Sequence, residues 1–356
     1  MRTVCFRPAS FIALNVLAFA SAFASALASP ALGQSPGDRR GGALGDVSVE
    51  NPPPNPTPPT EGGGEGMAPN IPEGPAISTV IFGGALYDFD GDFQSGGGNV
   101  SVARAYAGIG TRIRLDPQLG IGLRIGYEGD FYDFGGDSTI TRIAGGAPWT
   151  NVTSVQIGGR VDYAFDRQWR ASAGLFGQFS GENSASAGDS FTFGGTVGAT
   201  YAFSEHFILG GGALLATRLQ QGPLVIPLIF IDWRIAEGLR LSNVAGPEAY
   251  PTGAGIELIW NPTKPLAFGI GGRYEYRQFR LDDSGPVTRA GGVGGEQNFP
   301  LWVRAEWRAS ESLRLDFVCG VSLFDQYELW DAAGSKLTSQ DTDPSFFIGG
   351  FVAFRF

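Results

Sequence analysis

Apolar and polar residues alternate at every second position through most of the chain. Leu123 and the residues two positions to either side of it are apolar, whereas Arg124 and Glu128 are charged. The same alternation recurs around residues 152–165 and 300–308. Because successive side chains of a β-strand point to opposite faces, this period predicts strands with one apolar and one polar face.

Short and long predicted connections follow one another between these strands. The short ones fall at 116–118, 166–168, 204–206, 236–238, 261–264 and 310–312. Longer connections, rich in Gly and Asp, fall near 90–98, 134–150, 181–189, 282–297 and 331–343. A soluble sandwich also alternates apolar and polar faces. Tight turns at one end and larger loops at the other favour an outer-membrane β-barrel instead.

The turns also predict the number of strands. Six short turns link pairs of strands, and one further strand at each end gives fourteen. An even number puts both chain ends on the periplasmic side. The uncertain hairpin is 223–252, because Pro223, Pro227, Pro247 and Pro251 cannot donate to a strand ladder. The sequence therefore predicts an all-β, up-and-down antiparallel transmembrane barrel of fourteen strands, with twelve as the alternative if that hairpin does not span.

Aromatic residues lie beside the short turns, as expected for a girdle at a membrane interface. They are Phe165, Trp169, Tyr201, Phe203, Phe207, Trp260 and Trp307. The chain ends in a strand that closes on Phe354 and Phe356. This ending resembles the terminal strand that the bacterial barrel assembly machinery recognises. The resemblance implies that Phe354 and Phe356 are an assembly signal and that the protein lies in the bacterial outer membrane.

Three segments are predicted from composition: a signal peptide (1–33), a disordered Pro/Gly-rich periplasmic segment (34–75) and the barrel (76–356). The first has basic residues before an apolar run and ends in small residues, with cleavage after Ala28 or Gly33. The second holds almost no large apolar side chains. It is therefore expected to be a periplasmic spacer, a plug of the lumen or an unselected tail.

Two stretches in the second half of the barrel resemble an uncharacterised family of outer-membrane barrels whose domain has no known function. They are residues 227–235, PLIFIDWRI, and residues 271–283, GGRYEYRQFRLDD. The resemblance covers roughly residues 220–356. It implies a barrel and supplies no activity or site.

If apolar positions face lipid, the charged positions face the lumen. Fifteen Arg are then predicted to point inward: 104, 112, 114, 124, 160, 170, 218, 234, 240, 273, 277, 304, 308, 314 and 355. Ten acids are predicted to do so: Glu128, Asp130, Asp162, Glu182, Asp232, Glu257, Glu275, Glu306, Asp316 and Glu328. The candidate lumen-lining residues are Arg104, Arg112, Arg124, Glu128, Arg160, Asp162, Asp232, Arg234, Arg273, Glu275, Arg304 and Glu306. The surplus of Arg favours either an anion-tolerant pore or a lattice of ion pairs that braces the wall.

Net charge and residue usage argue against several other functions. A formal charge of -10 disfavours nucleic acid as a partner. The single His206 falls in a predicted periplasmic turn, so no catalytic His is expected near the outer leaflet. Asp88, Asp90 and Asp92 alternate like calcium ligands, yet the positions where Gly and Glu are needed hold Phe93 and Asn99. No enzyme activity, metal or cofactor is expected.

The function predicted first is a passive, porin-like channel for small polar solutes. The alternatives are an uptake barrel for hydrophobic compounds whose N-terminus plugs the lumen, and a structural or adhesive barrel with a closed lumen. The expected partners are outer-membrane lipid, lipopolysaccharide and the barrel assembly machinery, and the solute is unknown.

Deletion of Phe356 tests the assembly signal. We expect the outer-membrane yield to fall while secretion across the inner membrane is unchanged, because the terminal strand would no longer be recognised. Heat-modifiable barrel in outer-membrane fractions measures the yield. A normal amount of folded barrel after the deletion would contradict this prediction.

Overall fold

The computed structural model describes residues 77–243 and 253–356. The predicted signal peptide and the Pro/Gly-rich segment therefore lie outside the described residues. In the described part no helix is long and apolar enough to cross a membrane.

Fifteen strands account for about 75% of the described chain. They are β1 (Ile77–Asp92), β2 (Asn99–Arg114), β3 (Leu119–Gly135), β4 (Asn151–Ala164), β5 (Trp169–Glu182), β6 (Phe191–Ser204), β7 (Phe207–Arg218), β8 (Gln221–Ala236), β9 (Leu239–Asn243), β10 (Gly253–Thr263), β11 (Leu266–Arg280), β12 (Val293–Arg308), β13 (Leu313–Trp330), β14 (Lys336–Asp341) and β15 (Ser345–Arg355). One short helix, α1 (Thr139–Ala144), lies in the connection between β3 and β4.

The strands close into a ring of fourteen, as the sequence predicts. Neighbours in sequence pair antiparallel, and β1 pairs with β15 from Val80 opposite Arg355 to Asp88 opposite Phe347. Strands β14 and β15 both pair with β13, at its second and first halves respectively. They are therefore two segments of a single fourteenth barrel strand.

The alternative of twelve strands is wrong. Strand β8 contains Pro223 and Pro227, yet it pairs with β7 without a break from Leu224 to Trp233. Each Pro removes only one donor, so the neighbouring hydrogen bonds keep the strand in place.

The six short connections predicted from the sequence lie at one end of the barrel, called the turn end, together with the start of β1 and the end of β15. Asp166 shows how such a turn is held: its Oδ1 accepts hydrogen bonds from the backbone N–H groups of Gln168 and Trp169, each at 2.7 Å. These two donors lower the pKa of the Asp166 carboxyl. An Asp that binds the backbone two residues on is a standard turn former.

The outer surface of the barrel is apolar. Leu123, Ile157 and Leu175 point outward and are 52%, 58% and 76% exposed. At the turn end, Trp169 packs against Tyr201 with a distance of 4.9 Å between ring centroids. An apolar band bordered by aromatic side chains fits the hydrocarbon layer of a membrane. This architecture is that of bacterial outer-membrane proteins, which agrees with the expected location.

At the opposite end, called the loop end, strands that are not neighbours in the ring contact one another. Gly181 of β5 and Arg280 of β11 form a parallel bridge, although these strands are not neighbours in the ring. The tight turn between β7 and β8 also contacts β11: the backbone N–H of Leu219 donates to Gln278 Oε1 at 2.8 Å. The loop end is therefore narrower than a regular fourteen-stranded ring.

Helix α1 folds against this end. A capping box starts the helix: the Ser138 side chain accepts from the Thr141 backbone N–H, and the Thr141 side chain accepts from the Ser138 backbone N–H. Gly145, with φ 74°, ends the helix. The backbone N–H of Ile140 donates to Gln340 Oε1 of β14 at 2.6 Å. Ile140 and Ala144 are fully buried.

Leu123→Arg tests which face of β3 meets lipid. We expect it to lower the free energy of unfolding by about 2 to 4 kcal/mol if residue 123 lies near the bilayer midplane, because an outward Arg would sit in hydrocarbon. Gly122→Arg is the matched control, since a Cβ at residue 122 would point inward, 4.0 Å from Arg160 Cβ. Urea unfolding in lipid vesicles measures both variants. An equal loss from both would show that the assignment of faces is wrong.

Candidate functional site: the barrel lumen

Strand register places all of the candidate lumen-lining residues on the inner face. Arg104 of β2, for example, lies opposite Asp130 of β3, and Glu128 of β3 lies opposite Ser154 of β4. Exposed apolar residues of the outer surface flank several of them along the strand, such as Leu123 and Ile125 beside Arg124, and Val161 and Tyr163 beside Asp162. The inner face is not uniform, however, and it divides into five regions.

The first region is an apolar layer that fills the lumen at the loop end, here called the closing layer. It consists of Phe93, Val100, Val102, Tyr132, Ile140, Ala144, Trp149, Val152, Phe279, Leu281, Tyr327 and Leu329. Trp149 is fully buried, and its ring centroid lies 5.1 Å from that of Phe279 on β11. The ring centroids of Phe134 on β3 and Tyr327 on β13 likewise lie 6.0 Å apart. Rings from opposite walls therefore meet inside the barrel.

The second region is a set of buried ion pairs in contact with the closing layer, here called the crossbar. Arg104 pairs with Asp88 at 3.0 Å, with Asp130 at 3.2 Å and with Glu296 on β12. The Tyr132 hydroxyl, which belongs to the closing layer, donates to Glu296 at 2.6 Å. Strands β2 and β12 are not neighbours in the ring, so these contacts cross the lumen.

Arg277 of β11 forms the second set of crossbar contacts that cross the lumen. Its Nε lies 3.2 Å from Glu128 of β3, and its Nη1 lies 2.8 Å from Glu275 on its own strand, β11. Arg273 binds the same Glu275. Each of these guanidinium groups meets carboxylates in a nearly dry interior, where charge-assisted hydrogen bonds are strong and unpaired charges costly.

Three of the buried acids are not among the ten that the sequence predicts to point inward. Asp88, Glu296 and Asp325 face inward, and Glu296 and Asp325 are 2% and 5% exposed. Glu296 falls within a predicted loop, and Asp88 was considered only as part of a failed calcium motif. Continuing the alternation of β1 forwards from the lumen-facing Phe82 to residues 84, 86 and 88 finds Asp88.

Glu328 was predicted to point inward, and this is wrong. The register between β12 and β13 shifts between Gln297 and Phe299, because β13 has one extra residue there. The two faces of β13 therefore exchange beyond that point. Tyr327 and Leu329 are therefore buried inside, whereas Glu328 lies on the other face and pairs with Lys336. Together with the missed acids, this makes the lumen less basic than the sequence suggests.

The third region is a balanced network on β10 to β13. Arg304 binds Glu257 at 2.8 Å, Glu306 at 2.7 Å and Asp316 at 2.7 Å. Arg308 pairs with Glu306 at 2.8 Å. This wall is the bracing lattice expected as one explanation of the charged inner face. Nearby, Arg240 of β9 pairs with Asp232 of β8 at 2.6 Å.

The fourth region, on β2 to β5 near the turn end, is rich in Arg. Arg160 pairs with Asp162 at 2.8 Å. Arg124 places its guanidinium carbon 5.2 Å from the centre of the Phe82 ring, a cation–π contact. Arg112 lies opposite Gly122 of β3. Outside this region, Arg234 of β8 lies opposite Arg240 of β9.

The fifth region is apolar and lies on β7 and β8, here called the apolar wall. Its inward residues are Ile208, Leu214, Leu224, Ile226, Leu228 and Phe230. The four on β8 are only half-buried. Phe230 lies over Gly198, because a Cβ added there would come within 2.3 Å of its Cε2. Both faces of this part of β8 are apolar, whereas β2 to β5 and β10 to β13 carry charges inside.

When the chain is compared with protein families, curated proteins and solved structures, only the solved structures give matches. No protein family model matches the chain, and neither does any curated protein. A COG4313 outer membrane channel from Pseudomonas putida F1 is 10% identical, with a TM-score of 0.46, covering 82% of this chain and 100% of that one. A Pseudomonas aeruginosa FadL homologue is 10% identical, with a TM-score of 0.46 and coverages of 78% and 90%. The P. putida toluene transporter TodX is 11% identical, with a TM-score of 0.36 and coverages of 81% and 90%.

The resemblance of residues 220–356 to an uncharacterised barrel family thus stays a prediction, because no family model supports it.

Arg104→Ala tests the crossbar. We expect it to lower the free energy of unfolding by about 3 to 5 kcal/mol, because the buried Asp130 and Glu296 lose the cation between them. Arg142→Ala is the control: its side chain is 57% exposed, and its ion pair with Asp137 should contribute about 0 to 1 kcal/mol. Denaturant titration of the refolded barrel measures both. A cost for Arg104→Ala no larger than that of the control would contradict a dry crossbar.

Proposed function

We propose that this chain is an outer-membrane uptake barrel for small hydrophobic compounds, with a lumen closed at the loop end in its resting state. The observation that carries the proposal is the apolar wall. Half-buried Leu224, Ile226, Leu228 and Phe230 face the lumen, where a water-filled pore for polar solutes would present polar side chains.

The loop end supports the same function. A passive porin needs a continuous aqueous path. Here the closing layer and the crossbar join opposite walls of the barrel through Trp149, Phe279, Arg104 and Glu296. A solute that enters from the outer leaflet must therefore displace these side chains or pass beside them.

The apolar wall can hold an apolar molecule by burial alone. Removing about 150 Å² of an aromatic ring from water contributes about 4 kcal/mol at 25 cal/mol per Å². Such a site has no hydrogen-bond pattern to satisfy, so it selects a class of compound and tolerates variation within it.

A channel for small anions is the second candidate. The Arg-rich region near the turn end favours it, because arginine rings lower the barrier for anions. Conductance separates the two candidates, since only the anion channel needs an open, wet path.

The first experiment is therefore conductance in planar bilayers. We expect the wild-type barrel to show no steady ohmic steps. Replacing Trp149 and Phe279 together by Ala should produce steps, because the closing layer loses the two rings that meet across the lumen. Steady wild-type steps with an anion-selective reversal potential would replace the proposal with the second candidate.

The second experiment measures initial uptake of radiolabelled toluene by cells that produce the barrel. Leu228→Ser should lower uptake about tenfold if it weakens binding by about 1.4 kcal/mol, since Leu228 faces the lumen. Ile229→Ser is the matched control, because Ile229 is 69% exposed on the outer surface. Uptake no faster than in cells without the barrel, or equal loss in both variants, would contradict a lumenal site.

A further inference from the structure

The basic surplus of the lumen is concentrated at one place, here called the arginine corner. It comprises Arg112, Arg114, Arg160, Arg170 and Arg355 on the inner face of β2, β4, β5 and β15, near the turn end. Arg355 Nε donates to Ser78 Oγ at 3.0 Å, and Ser78 lies opposite Arg112. The corner therefore continues across β1.

Glycines on β3 let these side chains approach one another. Arg112 and Arg160 flank Gly122, which leaves no side chain between them. A Cβ added at Gly120 would lie 3.9 Å from Arg112 Nε, so the Arg112 side chain extends across β3 above Gly120. Arg112 comes near enough to Arg170 and Arg355 for their charges to repel one another, and Asp162 offsets part of this repulsion at Arg170.

Negative charge is scarce in the same place. On the inner face of the turn-end half of these strands, within the described residues, Asp162 is the one carboxylate, and Arg160 binds it at 2.8 Å. Arg170 Nη1 is buried and has no hydrogen-bond partner among the residues that the structure describes. The network on β10 to β13 differs, because Arg304 alone meets three carboxylates there.

We propose that the arginine corner is a binding site for an oxyanion group, a carboxylate or a phosphate. Guanidinium forks bind such groups through paired, charge-assisted hydrogen bonds. The bound anion would offset the repulsion among Arg112, Arg170 and Arg355 and give the buried Nη1 of Arg170 an acceptor. The site does not depend on the transport of hydrophobic compounds, since it lies in a different region from the apolar wall.

Two sources can supply the oxyanion. One is a small anion from the periplasm. The other is the segment 34–75, which carries Asp38, Asp46, Glu50, Glu61, Glu65 and Glu73. Glu73 is four residues from the start of β1, so its backbone is at most about 14 Å from Ile77, given roughly 3.5 Å per residue. Such tethering would give its carboxylate a high effective concentration at the corner.

Isothermal titration of the refolded full-length chain with inorganic phosphate, at low ionic strength, tests the site. The chain is compared with the variant Glu61→Gln, Glu65→Gln, Glu73→Gln. Phosphate that binds both equally identifies a site for free anions. Binding at least tenfold tighter in the Gln variant identifies the chain's own glutamates as the occupant.

The Arg variants are made in whichever of these two chains binds phosphate more tightly. Arg170→Gln should weaken binding at least fivefold, and Arg112→Gln with Arg170→Gln should abolish it. Arg308→Gln is the matched control: it also removes one positive charge near the turn end, from a residue already paired with Glu306, and should change binding less than twofold. Arg170→Lys keeps the charge and should retain part of the affinity if the double variant fails to fold.

Three results would overturn the proposal: phosphate binding to neither chain, equal weakening by Arg170→Gln and Arg308→Gln, or binding that Arg170→Gln leaves unchanged. The first would show that the corner holds no anion, and the others that phosphate binds elsewhere.

Discussion

The structure depends on one constraint: no backbone N–H or C=O group can remain unpaired in the hydrocarbon of a membrane. The pairing of β1 with β15 closes the ring and satisfies that constraint along the last open edge. Because side chains alternate along each strand, closure then fixes their distribution. Apolar residues such as Leu123 and Ile157 take the outer positions, and nearly every charge of the strands is confined to the inside.

Confinement makes the lumen a place where charges must be paired or solvated. The crossbar and the network on β10 to β13 pair them, and Arg104 and Arg304 each meet three carboxylates. Along β2 to β5 the interior is therefore divided along its length, with Glu128 and Asp130 beside the closing layer and Arg112, Arg160 and Arg170 near the turn end. The apolar wall of β8 breaks this pattern, and that exception points to function more directly than the charges do.

The alternation of residues such as Leu123 and Arg124, together with the order of short and long connections, was enough to predict the barrel, its strand number and the inner face. It could not predict the closing layer, because Trp149 and Phe279 meet across the lumen and no periodic pattern links residues so far apart. It also failed at Glu296, which falls within a predicted loop, and at Glu328, because the shift of register between Gln297 and Phe299 exchanges the two faces of β13. The apolar inner positions of β8 can be read from the sequence, but the prolines of the same hairpin argued there against a spanning strand.

A crystal structure of the barrel with a brominated aromatic compound tests the central claim most directly, because anomalous scattering locates the bromine. The account predicts bromine density inside the barrel against Leu214, Leu228 and Phe230, with Trp149 and Phe279 still in contact across the loop end. Bromine density confined to the outer surface, or a water-filled path that runs through the loop end beside an empty apolar wall, would contradict it.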